Sequence, residues 1–234
     1  MFRKGLILIL LIAIAYIFFS LVENYQGRDE LSGISRYYAE NAVDELGSAN
    51  IVTAVVVTYR GLDTLGEITI LFLTAAIIGF VLNFRNSEHE DKKRFVQPAS
   101  EILITASKLM IPIVFIFGIY VIFNGHLSPG GGFQGGAIIA SAVVLTILAQ
   151  NEKKFNHSFI AAIESISGIG FVVVGIFGMV LAGGFLDNRI MELGEFGTLL
   201  SAGAIPIIYI FVGLKVGAEL TSIILNLKET QNQE

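Results

Sequence analysis

The feature that most constrains this chain is a set of long stretches without a charged side chain. Leu109 to Asn151 runs for 43 residues with no Asp, Glu, Lys or Arg, broken in the middle by a Gly/Pro turn. Gly5–Val22, Ile68–Phe84, Ser165–Leu186 and Phe196–Leu214 add runs of 18, 17, 22 and 19 residues. A helix that crosses a bilayer needs about 20 predominantly apolar residues, and these runs have that length. They predict helices near 5–22, 65–84, 101–123, 133–150, 158–183 and 197–226, with a shorter candidate at 42–59 that carries Asp44 and Glu45 near one end. The expected fold is all-α: a polytopic transmembrane helical protein with six or seven spanning helices. Arg3 and Lys4 give the first run a basic start, but no small-x-small cleavage site follows Val22, so it reads as a retained helix.

Composition narrows the function classes. Only 15% of the 234 residues are charged and 54% are hydrophobic, against roughly a quarter charged in an average soluble domain. The net charge of −5 and the lack of a basic stripe argue against a nucleic-acid partner. There is no Cys, which removes disulfides, thiolate metal sites and a Cys nucleophile. The three histidines, His89, His126 and His157, have no ligand-type partner at helical spacing. No cofactor and no catalytic residue is expected.

Orientation follows from the basic residues. With 85–97, 151–157 and the C-terminus inside, nine Lys and Arg lie inside and four outside, whether or not 42–59 crosses. The charged linker RNSEHEDKKRFVQ at 85–97 divides the chain into 1–84 and 98–234, the second part reading as a four-helix membrane domain. No repeat relates the two parts, so an inverted-repeat transporter within the chain has no support.

Three groups of residues carry candidate chemistry. Arg60, Asp63 and Glu67 follow at spacings of three and four; on a continuous helix they would share one face, while Gly61 and Gly66 equally allow a break between two helices. Glu67 then reads either as a first-turn carboxylate or as a proton-titratable group oriented by Arg60. Lys108, Glu164, Lys215 and Glu219 are isolated within apolar runs, where an ionisable group normally faces protein or a wet cavity, or snorkels to the interface. Pro112 cannot donate to the carbonyl of Lys108, so a polar node is expected there, and Lys215 and Glu219 at i, i+4 can pair. In NGHLSPGGGFQGG at 124–136, Gly130, Gly132 and Gly135 satisfy G-x-G-x-x-G, but an apolar helix precedes them instead of a strand. The stretch reads as a turn, with Gly132, Gly136 and Ala140 continuing as a flat helix face.

The residues Gly125-His126-x-x-Pro129-Gly130-Gly131-Gly132-Phe133, followed by Gly135-Gly136, carry a resemblance. Residues 98–234 resemble the B subunit of Mrp-type multisubunit cation/proton antiporters, and equally the matching subunit of energy-converting membrane-bound hydrogenases and ferredoxin-linked complexes. Gln134 departs from the apolar residue frequent there. Residues 36–84, through Asn50-Ile51-Val52-Thr53-Ala54 and Tyr59-Arg60-Gly61-x-Asp63-Thr64-Leu65-Gly66-Glu67, are similar to the C-terminal part of the Mrp A subunit, which is a separate small subunit in the hydrogenases. The chain thus looks like a fusion of two neighbouring subunits.

The resemblance implies a non-catalytic subunit of a cation (sodium)/proton antiporter module in the cell membrane. The setting would be a hydrogenase-like or ferredoxin-linked respiratory complex or a stand-alone Mrp antiporter. Implied partners are small helical subunits, large complex I-like antiporter subunits, hydrogenase-like or ferredoxin-linked subunits, and the lipid bilayer. A purely structural scaffold and a stand-alone secondary transporter are the alternatives. Candidates for the ion or proton path are Arg60, Asp63, Glu67, Lys108, Glu164, Lys215 and Glu219. His126, Pro129, Gly130, Gly131, Gly132, Phe133 and Gly136 are expected to dock a neighbouring subunit.

Overall fold

Apolar runs of this length satisfy their backbone in lipid only as helices or closed barrels, and here they are helices. The structure is a computed structural model, describing residues 2–23, 25, 30–86, 99–150 and 155–231. Among the described residues there is no strand. The chain separates into two compact units, 1–37 and 38–234. The first contains α1 (Phe2–Glu23), whose described side chains are exposed along the whole helix. α2 (Ile34–Leu46) leads into the second unit. There follow α3 (Ile51–Thr53), continued as a π-helix over Ala54–Tyr59, then α4 (Gly61–Asn86), α5 (Glu101–Phe123), α6 (Gly132–Ala149), α7 (His157–Phe177, extended as a π-helix to Ala182) and α8 (Ile205–Gln231).

Among the described residues, six helices are long and apolar enough to cross a membrane: 4–23, 61–82, 101–123, 132–149, 157–182 and 205–228. The seventh candidate, 42–59, is not a span. Its backbone turns at Gly47 (φ +65°), and the Asn50 side chain caps a new helix by accepting from the Val52 and Thr53 N–H groups. That helix widens and breaks at Arg60 (φ −129°, ψ 39°). The last predicted helix also starts later than expected, at 205 and not 197. Residues 196–204 form turns, and the Gly203 backbone (φ +57°) comes so near the Asn188 carbonyl that a Cβ there would overlap the oxygen. Residues 85 and 86 of the 85–97 linker end α4, and the rest of it lies outside the described residues.

α8 is the axis of the second unit, packing against α4, α5, α6 and α7. The close approaches come from glycine. A Cβ on Gly132 would lie 2.6 Å from Val212 Cβ, and one on Gly136 would lie 2.6 Å from the Gly213 carbonyl, so both glycines bring α6 onto α8. Gly135 on another face of α6 meets the Gly118 carbonyl of α5, where a Cβ would stand 2.7 Å away. Small residues allow such backbone approach, and van der Waals packing then holds the helices in lipid. The core on α8 is Ile205, Ile208, Tyr209, Val212 and Val216, joined by Ile68, Ile122 and Phe171.

Candidate functional site

α8 carries two ionisable groups deep in an apolar helix. Lys215 lies ten residues after Ile205, about 15 Å along the axis at 1.5 Å per residue and so near the middle of a ~30 Å hydrocarbon layer. Its ammonium is 2.7 Å from Glu219 Oε1, the i, i+4 pair expected from the sequence, and 3.6 Å from Glu164 Oε1 on α7. It also sits 4.6 Å from the centroid of the Phe72 ring on α4, within cation–π range. Gly168 on α7 leaves room for the lysine stem, 3.4 Å from where a Cβ would stand. Helices α4, α7 and α8 therefore converge on one charge cluster. Glu219 is fully buried, Lys215 nearly so, and Glu164 partly open. The opening is a cavity of about 380 Å³ between α4 and α7, lined by Thr69, Phe72, Glu164, Ser165, Lys215 and apolar neighbours.

The other path candidates stand apart from this cluster. Arg60 pairs with Asp63 at 2.5 Å, an exposed contact that contributes little. Glu67 is exposed on α4, so Arg60 orients Asp63 and not Glu67. Lys108 is exposed on α5 and meets no partner among the described residues, and Pro112 is exposed as well, so no partner for the node expected there is seen within the described residues.

The 124–131 loop is used internally. Asn50 Nδ2 donates to the Gly125 and Ser128 carbonyls at 2.9 and 3.0 Å, and its N–H donates to the His126 carbonyl at 3.0 Å. Ser48 Oγ donates to the same His126 carbonyl, and Thr53 Oγ1 donates to Gly125 O at 2.6 Å while accepting from Tyr209 OH at 2.8 Å. His126 is fully buried, and its Nε2 donates to the Thr198 carbonyl at 3.2 Å. Burial pushes the imidazole pKa down, with the Thr198 hydrogen bond opposing. From the other side, Asn188 Nδ2 donates to the carbonyls of Leu46 and Ala202 at 2.9 Å each. The 46–53 segment is thus clasped between the 124–131 and 183–204 loops.

His126, Gly131, Gly132 and Gly136 are buried against their own chain, and Phe133 packs on its core; Pro129 remains exposed and Gly130 half-buried. The glycine face fits a neighbouring helix as expected, but that helix is α8. Asn50 and Thr53 entered the sequence reading only through a motif; the Ser48–Asn50 polar pair ahead of an apolar run is the cap signal that points to them. Phe72 and Asn188 have no such signal.

Apolar helices of membrane-crossing length, packed on one helix that buries a charge cluster, define a multi-pass integral membrane protein. Residues 102–222 match the family described as a domain related to the MnhB subunit of Na+/H+ antiporter, and residues 4–97 match MbhE, the family of the E subunit of MBH. The chain belongs to the MnhB-related family, here joined to an MbhE-like segment, and is a membrane subunit of the antiporter-module type. An uncharacterized protein of Methanocaldococcus jannaschii is 33% identical over 198 residues, 74% of each chain. The B subunit of the Na(+)/H(+) antiporter of Bacillus subtilis is 38% identical over 81 residues, 35% of this chain and 51% of that protein. A chain in the structure of the membrane-bound sulfane sulfur reductase, an archaeal respiratory membrane complex, superposes with TM-score 0.76 at 35% identity, covering 97% of this chain and 98% of that one. A chain of the Mrp complex from Dietzia sp. DQ12-45-1b superposes with TM-score 0.76 at 26% identity, covering 96% of this chain and 26% of that longer one.

Proposed function

We propose that this chain is a non-catalytic subunit of a cation/proton antiporter module in the cell membrane, and that the module belongs to a larger redox-driven respiratory complex. The observation that carries the transport role is the Glu164–Lys215–Glu219 cluster in mid-bilayer. Ionisable groups at that depth are expensive and serve ion or proton pathways when they line a cavity, as Glu164 and Lys215 do. The redox setting is supported by the near end-to-end match to a chain of the archaeal respiratory complex, whereas the Mrp complex chain is several times longer than the part matched. Partners of this reading are Mrp-type antiporter subunits and hydrogenase-like subunits. The division at the 85–97 linker separates two ancestral subunits that now fold together.

The test is sodium-dependent ΔpH in inverted membrane vesicles from cells with and without this chain. Removing the chain is expected to abolish the signal, and restoring it in trans to return it. Persistence of full exchange in its absence would contradict the proposal.

A further inference from the structure

The cluster holds two carboxylates and one ammonium, and that imbalance has a consequence for which cation it handles. With all three groups ionised the cluster carries one net negative charge inside the bilayer. One further cation would neutralise it, either a proton on a carboxylate or a sodium ion. Side-chain exposure falls from 19% at Glu164 through 9% at Lys215 to 0% at Glu219, so anything arriving through the α4–α7 cleft meets Glu164 first.

The surroundings favour the proton. Hard cations are held by several oxygens at once. Beside Glu164 the side chains of the cleft wall offer only two further oxygens, the hydroxyls of Thr69 and Ser165. The rest of the wall is Leu65, Ile68, Phe72 and Phe171 with their neighbours. The space between the two carboxylates, where a sodium ion would gather most oxygens, holds the Lys215 ammonium. Of the other charged groups described, Asp63 and Glu67 of α4 and Glu101 and Lys108 of α5 are exposed, His157 is exposed at the start of α7, and Lys228 is half-buried nine residues beyond Glu219 on α8, while α6 carries none.

We propose that Glu164, Lys215 and Glu219 form a proton-selective relay entered laterally through the α4–α7 cleft, in which the Lys215 ammonium occupies the place a sodium ion would take. This rests on the reading of the chain as part of a cation/proton exchange module, and assigns it to the proton arm. In balance, a proton from the cleft forms an O–H bond on Glu164. Lys215 then gives one N–H proton to Glu219 and takes one from Glu164. The carboxylic acid moves from Glu164 to Glu219 and the ammonium is unchanged.

The test uses dicyclohexylcarbodiimide, an apolar reagent that modifies protonated carboxyls, on the assembled complex in native membranes, with labelling of Glu164 read by mass spectrometry. Labelling is expected to rise as pH falls and to be the same in sodium and potassium chloride at equal ionic strength. In Lys215→Met, sodium is expected to protect Glu164 several-fold, while Lys215→Arg stays insensitive. Protection by sodium in the unmodified protein would overturn the proposal in favour of a sodium site. Absence of labelling at every pH would make the cluster a fixed structural pair. Lack of sodium protection in Lys215→Met would remove the selectivity assigned to the lysine. Labelling is read without flux, so loss of exchange in the vesicle assay bears on the module reading and sodium protection bears on this one.

Discussion

At the scale of single residues, the buried ion cluster is held by mutual compensation. Lys215→Met leaves Glu219 buried without its cation, and breaking a buried pair by removing one partner costs about 3–5 kcal/mol. Lys215→Met is therefore expected to lower the thermal midpoint of the solubilised complex, and Lys215→Met with Glu219→Leu to recover most of it; an equal loss in both would show that the ion pair is not the source. His126 gives a second prediction. Its pKa is depressed in the fold from 6.5, so the unfolded chain binds a proton more readily. The stability it contributes is complete above about pH 6.5 and is lost as pH falls toward the lower folded value. His126→Gln should flatten that acid-side loss in a thermal scan across pH. Of these residues, the Lys215–Glu219 pair was legible from its i, i+4 spacing. The addition of Glu164 was not, because it is a contact between helices that spacing within one helix cannot show. Lys108 has the same intrahelical signal and faces outward, so a charge in an apolar run marks a candidate without giving its direction.

At the scale of elements, the α6 glycines decide how the helices meet. Gly136→Leu would drive a side chain into the Gly213 carbonyl and Val216. Backbone cannot yield as a flexible side chain does, so the expected result is loss of folded chain and not selective loss of partner subunits. Size-exclusion of the solubilised protein reads this directly: a monodisperse chain stripped of partners would return the face to intersubunit docking. The spans themselves were legible because 43 and 22 uncharged residues have few other solutions. The start of the last helix was misplaced at 197, and whether 42–59 crosses was left open, because apolar content in both segments serves a clasped, turn-rich cap. Gly47 and Gly203 at positive φ are the local reason, and glycine in an apolar run looks the same whether it packs or turns.

At the scale of the whole molecule, residues 38–84 and 98–234 share one compact unit. α4 lies on α8, and Asn50 and Thr53 bind the 124–131 loop. A chain cut between residues 90 and 91 and co-expressed as two pieces is expected to co-purify. Asn50→Ala should weaken that association, since the two hydrogen bonds from its amide and the cap are together worth about 1–3 kcal/mol. Independent migration of the two pieces would mean the covalent link alone keeps them together. The clasp between the 46–53 segment and the 124–131 and 183–204 loops depends on three segments far apart in sequence, and no local pattern announces it.

The central claim is that a buried charge cluster in this chain takes part in coupled ion movement, and Glu219 is the group that tests it most directly. Glu219 is fully enclosed, and substitution by glutamine keeps its shape while removing its proton exchange. The measurement is sodium-dependent ΔpH in inverted vesicles carrying Glu219→Gln, with all subunits present at wild-type levels. The expected result is an assembled complex whose exchange falls to background. Wild-type exchange from that assembled complex would contradict the account and leave the chain a structural scaffold.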